Sequence, residues 1–127
     1  MDWLRRIGRS IGIRSEDPAW RGELAAQLDA IEAELRRIGY WQSTPIEPEK
    51  MQFNRAFGAD TMAFSQWLQF VFVPNARAML APGRTPPERS MVAAYAVREL
   101  DGCDEALELC SLLSTFDATI EARAPVR

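Results

Sequence analysis

A run of apolar residues in the middle of the chain limits most strongly what the chain can fold into. Residues 57 to 80 read FGADTMAFSQWLQFVFVPNARAML, with a cap-like Asp60-Thr61 ahead of the aromatic part and Pro74 behind it. If this run is helical, apolar side chains lie on nearly all of its sides, and such a helix has to be buried. The other segments are therefore expected to pack around it.

Three further segments have the apolar spacing of amphipathic helices. The first is predicted to begin at Asp17-Pro18, carries apolar residues at alternating steps of four and three, and ends at Gly39. The next is predicted to begin at the capping box TPPE of residues 85 to 88 and to run to about Leu100. The last is predicted to restart at Asp101, with Asp104 at the third position, and to run to Ala122. No alternating hydrophobic stretch bounded by turn signals indicates a sheet.

These segments predict an all-α, single-domain four-helix bundle with a long extended loop, residues 40 to 56, between the first two helices. A chain of 127 residues suits one domain with one core. We expect a basic amphipathic or disordered extension at 1–15, the helical domain at 16–122 and a frayed tail at 123–127. The predicted core residues are Leu28, Leu35, Phe57, Trp67, Leu68, Val71, Pro74, Leu113 and Phe116.

Charge is divided unevenly along the chain. The formal net charge is −3, and residues 1 to 15 hold four arginines and one aspartate, which leaves an acidic body. Direct nucleic-acid binding by that body is not expected, because such binding needs a basic stripe that neutralises phosphates. Three interpretations of residues 1 to 15 stay open: a disordered extension, a helix docked on a protein, or contact with a membrane surface. No apolar run approaches the length of a transmembrane segment.

The chain lacks the residues that most catalytic and metal sites use. It has no histidine, which excludes most hydrolase triads and zinc sites, and no glycine-rich phosphate loop. Cys103 and Cys110 are too far apart on the predicted last helix for a disulfide and are expected to be reduced thiols of a cytoplasmic protein. Acidic pairs such as Glu32 with Glu34 are expected on solvated faces. No metal, cofactor or catalytic residue is predicted.

A few polar residues are the candidates for binding. Asp60 either accepts backbone amides as the cap of the second helix or is a pocket carboxylate with a shifted pKa. Gln66 and Gln69 need partners if they are buried, and their amides could serve specificity in a groove. Thr61 follows Asp60, and Trp41 in the loop either packs or lines a ligand pocket. The predicted binding residues are thus Trp41, Asp60, Thr61, Gln66 and Gln69.

Several of these residues carry a family resemblance. The succession Trp41, Pro45, Phe57, Asp60-Thr61-Met62, WLQFVFVP at residues 67 to 74 and VAAY at residues 92 to 95 resembles the YqcC-like family of small bacterial helical proteins. The likeness covers about residues 20 to 122 and implies a four-helix, all-α domain. Members of the family are sometimes labelled as tRNA pseudouridine synthase C components. This chain departs from the family pattern at Gln66, where an acidic residue is common, and at Ala94, where a proline is common.

The residues and the resemblance together predict a non-catalytic protein-interaction or accessory module, connected with tRNA pseudouridine modification. A pseudouridine synthase needs an aspartate nucleophile on a large mixed α/β scaffold with a basic RNA groove, and this short acidic helical chain has neither. A protein partner is expected, and the oligomeric state stays open. The alternative is a small-molecule binding domain or minor enzyme that uses a pocket near Asp60 and Trp41.

Overall fold

Four helices and their connections make up the computed structural model, which describes residues 19–123. The predicted all-α, four-helix fold is confirmed, including the long extended loop after the first helix. The predicted start at Asp17-Pro18, the extension 1–15 and residues 124–127 of the tail lie outside the described residues. The helices are α1 (Ala19–Arg37), α2 (the consecutive segments Phe64–Trp67, Leu68–Phe72 and Val73–Ala78), α3 (Val92–Glu99) and α4 (Leu107–Ala122).

The core lies between the apolar faces of α1, α2 and α4, with α3 packed against α4. The spacing of four and three in α1 places its apolar residues on one fully buried face, as predicted. Gly39 follows α1 at φ +79°, and the amide of Tyr40 closes the helix end by donating to the carbonyl of Leu35 at 2.8 Å. The fully buried large side chains are Leu24, Leu28, Ile31, Leu35, Leu68, Val73, Leu109, Leu113, Phe116 and Ile120.

The central helix α2 changes geometry where it meets its proline. Its middle segment, Leu68–Phe72, is a π-helix, and the amide of Val73 donates to the carbonyl of Leu68. In a regular α-helix the ring of Pro74 would clash with the carbonyl four residues earlier, and the wider π turn accommodates it. The chain therefore passes Pro74 through a local widening, and the helix continues to Ala78.

Two predicted core residues of α2 differ from the prediction. Pro74 is exposed, so its assignment to the core is wrong, and Val71 is only half-buried. Phe57 and Trp67 are half-buried and pack against the core. The prediction of burial on nearly all sides holds only for part of α2, because the loop that precedes it covers one side and leaves another open.

Helix α3 begins seven residues later than its predicted capping box. Residues 85 to 91 are not helical, so the start predicted at residues 85 to 88 is wrong. The N-terminus of α3 is instead capped from α4: the carboxylate of Asp117 accepts the amide of Ala93 at 2.8 Å and the hydroxyl of Ser90. Arg123 donates to the carbonyls of the two prolines, Pro86 and Pro87. The segment before α3 is thus fixed by residues far away in sequence.

Ion pairs join α1 to α2. Arg77 donates to Glu32 at 2.8 Å and to Asp29 at 2.9 Å, and Arg36 shares Glu32 at 2.8 Å. The hydrogen bond from Arg77 lowers the pKa of Glu32.

Glu34 was predicted on a solvated face, and this prediction is wrong, because its side chain is only 8% exposed. Arg37 of the same helix donates to both carboxylate oxygens of Glu34, which lowers the pKa of Glu34. Its carboxylate can be covered because its charge is paired.

The two cysteines are unpaired thiols, as predicted. Cys103 precedes the short 3₁₀ turn Asp104–Ala106 rather than lying in the last helix, and Cys110 lies in α4. Burial raises the pKa of the Cys110 thiol. None of the helices between Ala19 and Arg123 combines the length and apolarity that a membrane span requires.

Candidate functional site

Two buried or half-buried glutamines of α2 hold the loop that follows α1. Gln69 is 7% exposed; its Oε1 accepts the amide of Gln42 at 2.9 Å and its Nε2 donates to the carbonyl of Gln42 at 2.8 Å. Gln66 donates to the side-chain oxygen of Gln42 at 3.1 Å and accepts the amide of Ala63 at 3.0 Å. The amide groups predicted to serve ligand specificity are therefore used within the chain. We call Gln42, Gln66 and Gln69 the glutamine cluster.

Replacing Gln69 should test how much this cluster stabilises the loop. The change Gln69→Leu keeps the size of the side chain but leaves the amide and carbonyl of Gln42 without their partners. We expect the free energy of unfolding to fall by about 1 to 3 kcal/mol, measured by urea unfolding. Gln52→Leu, at an exposed position of the same connection, should change it by less than about 0.5 kcal/mol. Equal stability of Gln69→Leu and the parent would contradict this role.

Trp41 lies beside the glutamine cluster in an open cleft. The guanidinium of Arg36 stands 4.5 Å from the Trp41 ring centroid, a cation–π contact at the end of α1. The cleft has a volume of about 680 Å³. Trp41 and Gln69 both line it, so the structure brings these two predicted residues together. The lining residues are Arg36, Trp41, Gln42, Ser43, Thr44, Pro45, Gln69 and Phe70.

Asp60 and Thr61 do not belong to this cleft. The carboxylate of Asp60 accepts the amides of Asn54 at 3.0 Å and Arg55 at 3.3 Å, and the first of these bonds lowers its pKa. Thr61 donates its hydroxyl to the carbonyl of Lys50 at 2.6 Å. Asp60 is exposed, and α2 begins only at Phe64, so the cap of the second helix predicted for Asp60 is wrong. A single pocket shared by Asp60 and Trp41 is also wrong.

The loop that Asp60 holds forms one wall of a second pocket, the aromatic–arginine pocket, which has a volume of about 480 Å³. Phe57 stacks on Tyr95 of α3 at 4.0 Å between ring centroids and makes an edge contact with Trp67 at 4.9 Å. The guanidinium of Arg98 lies 5.8 Å from the Tyr95 ring. The lining residues are Arg55, Ala56, Phe57, Ala59, Met62, Ala63, Phe64, Tyr95, Arg98 and Glu99.

A third concavity, the apolar hollow, opens between α2, α4 and the segment before α3. It has a volume of about 220 Å³. The exposed Asn75 lies at its edge, and the half-buried Val71 and Met79 form part of its wall. The lining residues are Trp67, Val71, Phe72, Asn75, Ala76, Met79, Pro87, Ser90, Val92, Phe116 and Ile120. No group of three or more His, Cys, Asp or Glu side chains within residues 19–123 is placed to hold a metal ion.

Sequence reasoning missed three of the residues that build these sites. Gln42, Arg55 and Asp117 act on partners that are distant in sequence or lie in irregular loops, and no local pattern marks them. The sequence predicted that Asp60 could accept backbone amides at the start of the second helix. Asp60 does accept backbone amides, but they belong to Asn54 and Arg55 in the preceding loop.

Comparison with known proteins relates most of the chain to a described family. The profile of the family described as tRNA pseudouridine synthase C matches residues 23–119. The solution NMR structure of protein YqcC from Escherichia coli superposes with a TM-score of 0.76 at 25% identity, over 87% of this chain and 95% of that one. The two chains therefore share the same helical architecture.

Individual relatives differ in length and in the name they carry. An uncharacterised protein of Haemophilus influenzae is 26% identical over 97 residues, which cover 76% of this chain and 92% of that protein. Protein YqcC of Escherichia coli, also uncharacterised, is 33% identical over 69 residues, 54% of this chain and 63% of that one. A tRNA pseudouridine synthase C of Pectobacterium carotovorum is 42% identical over 58 residues, 46% of this chain but only 15% of that protein.

Proposed function

This chain belongs to the YqcC-like family, and on that premise we propose that it is a non-catalytic accessory domain that binds a tRNA pseudouridine synthase C in the bacterial cytoplasm. The observation that carries the proposal is the Pectobacterium carotovorum relative: a related stretch of 58 residues takes up 15% of a chain named tRNA pseudouridine synthase C. Two units in one polypeptide are held at a high effective concentration. A separate chain can achieve the same proximity by binding.

Three carboxylates that accept hydrogen bonds within the chain support a non-catalytic role. General acid–base or nucleophilic catalysis needs a carboxylate or another base free to reach a substrate. Asp60 accepts two loop amides, Asp117 accepts the amide of Ala93 in α3 and the hydroxyl of Ser90 before it, and Glu105 accepts the hydroxyl of Tyr40 at 2.7 Å. These side chains stabilise the fold, and the sequence has no histidine to take their place.

The apolar hollow is the surface best suited to such a partner. It is lined by aromatic and aliphatic side chains, and it is bordered by Met91, which is 66% exposed and lies between two lining residues in sequence. Interfaces concentrate their binding energy where an apolar side chain enters a desolvated pocket. We propose that an apolar side chain of the synthase occupies the hollow, in keeping with the related stretch inside a chain named tRNA pseudouridine synthase C.

A binding experiment with the synthase of the same cell tests the proposal. We expect the purified proteins to form a complex in sedimentation velocity with a dissociation constant below about 10 µM. Asn75→Trp, which fills the hollow from an exposed position, should weaken binding at least about tenfold. Ala78→Trp, exposed on the same helix but outside the hollow, should leave binding unchanged within about twofold.

Two outcomes would overturn the proposal. One is the absence of a complex at concentrations up to about 100 µM, well above the affinities of specific transient partners. The other is pseudouridine formation in tRNA by this chain alone, which would contradict the non-catalytic role. If both tryptophan variants bind as the parent does, the accessory role stands and the hollow is not the contact surface.

A further inference from the structure

We propose that the aromatic–arginine pocket binds a phosphate ester of nucleotide size, with the phosphate held by Arg55 and Arg98. The ester can come from a free nucleotide or from a single phosphate of an RNA chain, and both present the same group to the pocket. This inference is independent of synthase binding, because the aromatic–arginine pocket shares no lining residue with the apolar hollow. It rests on charge, on loop geometry and on the size of the pocket.

Two arginines lie in the lining of the aromatic–arginine pocket. Arg36, Arg37 and Arg77 each bind a carboxylate, and Lys50 pairs with Glu47. Arg55 and Arg98 both line one concavity and form no ion pair within 4 Å among residues 19–123, although the charge of Arg55 contributes to the lowered pKa of Asp60. Glu99 is the acidic residue of the lining. Two guanidinium groups that line one pocket can bind a phosphate together, because guanidinium groups match the geometry of phosphate oxygens.

The loop that carries Arg55 is held in a fixed shape. Asp60 accepts the amides of Asn54 and Arg55, and Phe57 adopts φ +60° and ψ 23°, a left-handed conformation that is costly for a bulky residue. The stack of Phe57 on Tyr95 at 4.0 Å opposes that cost and joins the loop to α3, which carries Arg98. The backbone of Arg55 and the helix that carries Arg98 are therefore held in place before any ligand arrives, which reduces the entropy lost on binding.

The size of the pocket and the net charge of the domain limit the class of ligand that the pocket can bind. A volume of about 480 Å³ lies within the range of small-ligand sites, and the aromatic side chains in the lining suit the organic part of a nucleotide. The acidic body opposes an extended nucleic-acid interface, but a local pair of arginines can still hold one phosphate. The expected ligand is thus a nucleoside monophosphate or one nucleotide of an RNA strand.

NMR titration of the whole chain tests this site. Inorganic phosphate, adenosine monophosphate and a short single-stranded RNA are added separately to ¹⁵N-labelled protein. We expect adenosine monophosphate or the RNA to shift the amide signals of residues 55 to 59 and 95 to 99. Arg55→Gln and Arg98→Gln should each weaken binding about tenfold, since each loses a charged hydrogen bond. Arg84→Gln, at an exposed position outside the pocket, should change it less than about twofold.

The outcomes separate the two sources and can refute the site. Tighter binding of adenosine monophosphate than of RNA indicates a free nucleotide, and the reverse indicates RNA. Equal weakening by Arg84→Gln and the pocket variants would overturn the proposal, because binding would then be a general charge effect. Absence of amide shifts in the pocket with all three probes at about 10 mM would also overturn it. Arg55→Lys keeps the charge and should retain more affinity than Arg55→Gln.

Discussion

Phe116→Ala is expected to lower the free energy of unfolding by about 3 to 5 kcal/mol. The Phe116 side chain is completely buried in α4 and makes an edge contact with Phe72 of α2, with 5.3 Å between ring centroids. Its removal takes a large apolar area out of the core and leaves a cavity that the surrounding helices can only partly close. For a domain with the usual stability of 5 to about 15 kcal/mol, this is a substantial share. Chemical unfolding followed by circular dichroism measures it.

A matched change on the same helix separates burial from helix propensity. Leu107 lies at the start of α4 and is 69% exposed, so Leu107→Ala should alter stability by less than about 0.5 kcal/mol. If Phe116→Ala does not fold, Phe116→Leu should give a smaller and measurable loss. A Phe116→Ala protein as stable as the parent would contradict the packing of α2 on α4 described above.

Gly58→Ala is expected to lower the free energy of unfolding by about 2 to 4 kcal/mol, the second largest effect among these predictions. Gly58 has φ +64°, a conformation that L-residues adopt only with strain. An added Cβ would also stand 3.0 Å from Cγ of Met62 and 3.3 Å from Cδ1 of Trp67, so the packing around the aromatic residues would have to shift. Urea unfolding measures the loss in free energy.

Gly39 provides the control for Gly58. Its φ of +79° imposes the same kind of backbone strain, but an added Cβ would meet nothing within 4 Å. Gly39→Ala should therefore lower the free energy of unfolding only by the cost of backbone strain, about 1 kcal/mol. If the two substitutions cost the same, the contacts of Gly58 with Met62 and Trp67 would be shown to contribute nothing.

The parts of the fold that depend on neighbouring residues could be predicted from the sequence. The apolar spacing in α1 identified Leu28 and Leu35 as core residues, and both are fully buried. Gly39 was predicted to end α1, and it does. Such features follow from helical periodicity and from the conformational range of glycine, which local sequence determines.

The parts that depend on distant residues could not be predicted. Residues 85 to 88 have the pattern of a helix start, but the helix begins at Val92 because Asp117 supplies the cap and Arg123 binds the preceding carbonyls. Pro74 was assigned to the core, but it is exposed and follows a π turn that the sequence did not predict. A local sequence pattern therefore does not predict a helix start or the burial of a residue where a tertiary hydrogen bond or a change of helical pitch determines them.

In the candidate site, too, some features could be predicted from neighbouring residues and others depend on residues distant in sequence. The polar residues of α2 were identified from sequence as groups that a core has to accommodate, and Gln69 is indeed buried and satisfied. Their partner Gln42 lies 27 residues from Gln69, and the pairing depends on how the long loop returns to α2. Arg55 and Arg98 likewise line one pocket where Phe57 packs on Tyr95, and no sequence pattern predicts the left-handed conformation of Phe57.

The cap that Asp117 provides for α3 bears on the order in which the chain acquires its structure during synthesis. Helix α3 has eight residues, too few for a stable helix in water on its own. Its capping carboxylate is 24 residues further along than the amide it binds, so it leaves the ribosome after α3 has emerged. The first two helices can associate while α3 is still unformed, and the arrival of α4 then completes the bundle and orders α3 in the same step.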